Sequence, residues 1–132
     1  MSERSDRGDG LNKRLNALVS AADLPWKRER LMMLDAQISE PSFWDDPQAA
    51  AKINQERTRV EEEIQGLDGL VGGLTDTLEL LEMAEDEDSQ DDLAAIDEEL
   101  AGIERIISGM EFKRMLSGEH DSASAYVQIK PG

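Results

Sequence analysis

Carboxylates dominate the chemistry this sequence could offer: 30 Asp and Glu stand against 14 Lys and Arg and a single histidine in 132 residues. A carboxylate pair works as general acid and base only where an apolar pocket raises one of the two pKa values. No acid here falls in a predicted apolar pocket. His120 lies between Glu119 and Asp121 in a predicted turn, with no Ser or Cys nucleophile set by a motif, and reads as a surface residue. The absence of cysteine excludes disulfides, thiolate catalysis and Cys-based zinc or iron–sulfur sites. Gly69-Leu70-Val71-Gly72-Gly73 has no lysine and sits inside a helical repeat, so it fails as a phosphate-cradling loop. Glu85-Asp86-Glu87-Asp88 lacks the spaced ligands and central glycine of a calcium loop. The sequence therefore predicts no catalytic residue, no cofactor and no metal site. The chain reads as a non-catalytic domain.

What remains is charge. The net charge is −16, and residues 60–104 hold 17 acids and no base, leaving 13 acids and 14 bases elsewhere. Such a stretch is either solvated helix faces plus an acidic turn or a docking surface for a basic protein, and the two are compatible. It would repel a phosphate backbone, which is bound by cations, so independent DNA binding is not expected. Apolar runs are too short for a membrane span, and the polar N-terminus lacks a signal-peptide core. Cytoplasm is the expected compartment.

Helices must position these groups. Aromatic residues are only 4% and charged residues 33%, which suits long helices sharing a narrow apolar seam. Met1–Gly10 has no periodicity and reads as a disordered lead-in. Leu11, Leu15, Leu18 and Ala22 predict a first helix, interrupted at Asp23-Leu24-Pro25. A second runs from about Pro25 to Ser39, burying Leu31, Leu34 and Ile38, with Met32 and Met33 widening its apolar side. Pro41–Pro47 connects it to the next helix, where Asp46 caps and Pro47 occupies the first position. Phe43 and Trp44 in that connection either fold back as a hydrophobic lid or stand out as an anchor for a partner.

The third helix spans 47–84. Ile53, Val60, Ile64, Leu67, Val71, Leu74, Leu78 and Leu81 form a heptad seam. Gly66, Gly69, Gly72 and Gly73 lie off it, each costing about 1 kcal/mol against alanine, so a bend or local break is expected near Gly72-Gly73. After an acidic turn, Ser89 caps a fourth helix through Leu93, Ile96, Leu100, Ile103, Ile107 and Met110, continuing past Phe112 and Leu116 to a C-cap at Gly118. The short turn makes the two long helices antiparallel. Alternation over 123–130 predicts a strand, which either pairs with another chain or opens a domain that this chain lacks. The expected fold is an all-α antiparallel bundle of about four helices plus a short C-terminal strand. Its segments are a disordered 1–10, a helical bundle over 11–118, and a linker with that strand over 119–132.

Two segments are more specific than their chemistry. Pro41-Ser42-Phe43-Trp44-Asp45-Asp46-Pro47-Gln48-Ala49-Ala50 and, more closely, Glu111-Phe112-Lys113-Arg114-Met115-Leu116-Ser117-Gly118-Glu119-His120-Asp121-Ser122-Ala123 resemble the N-terminal helical domain of bacterial class I peptide chain release factors. The branch resembled is release factor 2, which serves UGA and UAA codons. Leu80-Leu81-Glu82-Met83-Ala84 followed by acids fits as well, and the resemblance covers residues 11–132. Neither the codon-reading Ser-Pro-Phe nor the Gly-Gly-Gln of that family occurs here, so no codon-reading or catalytic residue carries over. The resemblance implies a helical domain docking at the stalk base of the large subunit of the bacterial ribosome, alongside the remaining release factor domains. Under it, Lys13, Arg14, Lys27, Arg28, Arg30, Arg57 and Arg59 are candidates for phosphate contact, and Glu85, Asp86, Glu87 and Asp88 should face protein or solvent. A free-standing acidic coiled-coil interaction module is the alternative.

Overall fold

The computed structural model describes residues 2–117, and the regular structure among them is helical. Four α-helices run in order: α1 (Glu3–Ala22), α2 (Leu24–Ile38), α3 (Pro47–Glu87) and α4 (Gln90–Leu116), with a 3-10 turn at Pro41–Asp45 before α3. The all-α bundle of about four helices is thus the observed fold class. The strand expected at 123–130 and the cap expected at Gly118 lie outside the described residues.

Local chemistry sets the helix ends. Asp23 takes a left-handed conformation (φ 51°), and its carboxylate accepts from the Trp26 amide at 3.4 Å, starting α2 with Pro25 in its first turn. The Asp46 carboxylate accepts from the Ala49 amide at 3.2 Å to start α3. Asp88, also left-handed (φ 54°), closes α3 while the Ser89 amide donates to the Ala84 carbonyl at 3.1 Å. The Ser89 hydroxyl then accepts from the Asp92 amide at 3.4 Å and opens α4.

The described residues fall into two compact units: one is Val19–Gly73, the other takes residues 2–18 and 74–117. The 41 residues of α3 span about 60 Å, while the 15 of α2 span about 22 Å, so α3 outlasts any one partner. In the Val19–Gly73 unit, Leu24, Leu34, Ala50, Val60, Ile64, Leu67 and Leu70 are buried. Met32 and Met33 are exposed and do not widen the buried side of α2. In the other unit, Leu11 and Leu15 of α1, Leu74 and Leu81 of α3, and Leu93, Ile96, Leu100, Ile103 and Ile107 of α4 are buried. Phe112 and Leu116, at the end of α4, are exposed.

The N-terminal expectation needs correction. Residues 3–10 are not a disordered lead-in but the first two turns of α1. Gly8 is buried there, and a Cβ on it would lie 2.3 Å from Leu78 Cδ2, so its missing side chain permits the close approach of α3. No apolar repeat marks this stretch. It is held by charge and by a glycine.

The seam on α3 is also corrected in detail. Val60, Ile64, Leu67, Leu74 and Leu81 are buried, but Val71 is 40% exposed while Leu70 and Thr77 are buried instead. The buried stripe thus passes from the 64-71-78 row to the 70-77-84 row, one residue earlier than the heptad places it.

Contrary to the expected local break, α3 is continuous through Gly72-Gly73. A Cβ at Gly69 or Gly72 would meet nothing within 4 Å. Gly69→Ala and Gly72→Ala should each raise stability by about 0.5–1 kcal/mol in urea denaturation. A loss of stability in either variant would mean the glycine serves a conformation other than this helix.

Candidate functional site

In the Val19–Gly73 unit, α2 and α3 are clipped together along both edges. Arg30 grips Glu56 with two bonds, Nε to Oε2 at 2.7 Å and its terminal nitrogen to Oε1 at 2.8 Å. Arg28 donates to Asp68 at 2.8 Å, and Arg57 donates to Asp35 and, at 3.2 Å, to Glu61. From Arg28–Asp68 to Asp35–Arg57 the position rises along α2 and falls along α3, as antiparallel helices require. Lys27 donates to the Ala22 carbonyl. Four of the candidate phosphate contacts, Arg28, Arg30 and Arg57 here and Arg14 in the other unit, already hold carboxylates, whereas Lys13 and Arg59 are exposed with no ion pair among the described residues. Phe43 and Trp44 pack edge to face, ring centroids 4.6 Å apart at 86°. Phe43 is half-buried, but Trp44 is 63% exposed, so only the first of them has a lid's burial.

In the other unit, three arginines of α1 meet three acids of α4. Arg4 reaches Asp97 at 2.8 and 3.0 Å, Arg7 reaches Glu104 at 3.1 Å, and Arg14 reaches Glu111 at 2.8 and 3.1 Å. Arg14 also lies 3.6 Å from Glu104. The separations along the chain, 93, 97 and 97 residues, are almost constant, so α1 and α4 run parallel. Asp97, Glu104 and Glu111 recur every seven residues, as do Arg7 and Arg14. That periodicity was readable, but nothing local says that the two rows face each other.

Hydrogen bonding from Arg4 holds the Asp97 carboxyl below the usual aspartate range, and Arg14 does the same for Glu111, against a smaller opposing effect of desolvation. A carboxyl held low in the fold adds stability above its unfolded pKa, and that stability is lost as pH falls through the lowered folded value. The Asp97 and Glu111 carboxyl resonances should thus titrate below the ordinary range, and both should return to it in Arg4→Gln/Arg14→Gln. Unchanged midpoints in that variant would remove the pairs as the cause.

The acidic segment is less free than its charge suggested. Glu61, Asp68, Asp97 and Glu104 are in ion pairs, and Glu85 is half-buried within coulombic reach of Arg4. Asp86, Glu87 and Asp88 are exposed, with the Asp88 carboxylate accepting from Gln90 Nε2 at 3.2 Å. Beside this turn, α3 and α4 leave a groove lined by Leu80, Met83, Ala84, Ala95 and Ile96 and rimmed by Glu87, Asp92 and Glu99. Sequence reasoning singled out the turn and missed the groove. Among the described residues, no group of three or more His, Cys, Asp or Glu could hold a metal ion, and no helix is long and apolar enough to cross a membrane.

Residues 27–132 match the family model of the PCRF domain. The chain belongs to the PCRF domain family. This PCRF domain is 33% identical over 127 residues to peptide chain release factor 2 of Aliivibrio fischeri, covering 96% of the chain and 35% of that protein. It is 34% identical over 126 residues to peptide chain release factor 2 of Streptomyces avermitilis, covering 96% of the chain and 34% of that protein. The chain spans about a third of the length of these curated relatives. Both alignments reach past the family match into α1, the helix that supplies Arg4, Arg7 and Arg14. The PCRF domain contains neither Gly-Gly-Gln nor Ser-Pro-Phe.

Proposed function

We propose that this chain is the non-catalytic N-terminal domain of a cytoplasmic translation termination factor similar to peptide chain release factor 2. The whole factor would read UGA or UAA on the bacterial ribosome and promote peptidyl-tRNA hydrolysis, with water as nucleophile. The domain's own share is docking, to the stalk base of the large subunit and to the remaining domains of the factor. The observation that carries this reading is the PCRF match together with similarity to release factor 2 along 96% of the chain.

Charge supports a division of labour on that docking surface. Among the candidate cations, Lys13 and Arg59 are exposed with no ion pair among the described residues, and they are best placed to meet ribosomal phosphate. Lys27, Arg14, Arg28, Arg30 and Arg57 would first have to leave partners within the fold. Trp44 is the exposed aromatic anchor, and Glu85–Asp88 face protein or solvent.

Removing this domain from the full-length factor should weaken ribosome engagement by about tenfold or more and leave the choice between UGA and UAA unchanged. The readout is peptide release against factor concentration on each codon. Altered codon choice at unchanged affinity would overturn the proposal. The exposed Leu80, Met83 and Ile106 favour a second reading, an acidic coiled-coil module that pairs with a copy of itself. Sedimentation decides between them: a monomer supports the docking domain and a tight dimer the module.

A further inference from the structure

The α3–α4 hairpin has two faces, and only one is covered by α1. On α4, Asp97 meets Arg4 of α1, while Glu99, two residues on, rims the groove; two residues turn a helix by about 160° to the far side. On α3, Leu78 meets Gly8 of α1, while Leu80, again two residues on, lines the groove. The groove therefore opens on the face opposite α1.

Its make-up repeats what α1 satisfies on the covered face. There, buried apolar rows are flanked by acids seven residues apart, and α1 brings apolar residues with Arg7 and Arg14 at the same interval. On the open face, Leu80 and Met83 are 55% and 58% exposed, and Ile106, seven residues beyond Glu99, is 50% exposed. Asp92 and Glu99 are likewise seven apart, and no ion pair among the described residues engages them or Glu87. Apolar surface this exposed beside uncompensated charge has the chemistry of a helix-in-groove site.

We propose that this groove binds a basic amphipathic helix of a partner protein, one with aliphatic residues on one side and Arg or Lys seven residues apart along its margin. Leu80, Met83 and Ile106 take the apolar side, and Asp92 and Glu99 pair with the cations. The site goes beyond the docking reading above and does not rest on it, because a chain that never met a ribosome would still bind such a helix.

The test uses this chain, labelled with 15N, and a synthetic helical peptide of about 18 residues with leucines at 3/4 spacing and arginines every seven. Saturable amide shifts should appear over 77–87 and 92–106 and leave the amides around Arg7 and Arg14 unmoved. Asp92→Asn/Glu99→Gln should weaken binding about tenfold, and raising salt should weaken it for the parent chain. Leu80→Ser/Met83→Ser should weaken it comparably, with circular dichroism confirming that both variants stay folded. Shifts centred on the α1 face, equal binding by the double acid variant, or tighter binding of an RNA duplex than of the peptide would each overturn the proposal. So would a dimer of the chain that buries Leu80 and Met83.

Discussion

Leu100→Ala should lower stability by about 3 kcal/mol, the usual cost of a cavity at a fully buried leucine. Leu100 is 0% exposed, at the middle of the row Leu93, Ile96, Leu100, Ile103 and Ile107 on α4. A side chain so placed has no solvent-side route by which neighbours could relax into the vacated space, and both the transfer and the cavity cost apply. Urea denaturation checks it, with the midpoint falling and the slope unchanged. Met83→Ala, on the open face, is the control and should stay within about 0.5 kcal/mol of the parent. A Leu100→Ala cost below about 1 kcal/mol would mean that the hairpin is not packed through this row.

The second large effect is electrostatic. Reversing Arg4, Arg7 and Arg14 together to glutamate turns three attractions with Asp97, Glu104 and Glu111 into repulsions. Each reversal adds two negative charges, so the net charge goes from −16 to −22. Single surface pairs contribute little, since both partners are well solvated and salt screens them. Three in series along one helix edge act together, and the triple variant should lose roughly 10 °C in Tm. Adding Asp97→Lys, Glu104→Lys and Glu111→Lys to the same chain should recover most of that loss, because the parallel register then reforms with opposite polarity. If the six-fold variant is no more stable than the triple one, the pairing of α1 with α4 is not the one described.

Much of this architecture is legible in local chemistry. Pro25 and Pro47 in first turns, Asp46 and Ser89 as caps, and the 3/4 spacing from Leu93 to Ile107 announce where helices begin and which side they bury. Less legible is anything depending on a partner remote in sequence. Residues 3–10 carry no apolar repeat, yet they are helical because Arg4 and Arg7 find acids more than 90 residues away and Gly8 admits Leu78. Val71 fits the heptad but is exposed, while Leu70 beside it is buried.

The candidate surfaces divide in the same way. Trp44 could be singled out from its place in a proline-flanked connection, though not whether it is buried or exposed, and the excess of acid over 60–104 from counting alone. Which charges remain available could not: Asp97 and Glu99 are near neighbours in sequence, but one holds Arg4 and the other rims an open groove.

By itself, the amino-acid order determined four helices, their caps, the antiparallel hairpin and the kinship with release factors, because each follows from interactions within a few residues or from a contiguous motif. The tertiary structure alone decided that α1 lies parallel to α4, that Arg28, Arg30 and Arg57 are occupied, and that one face of the hairpin stays open. A charged side chain has many complements in a chain this acidic, and only the packing of apolar rows selects the one it meets.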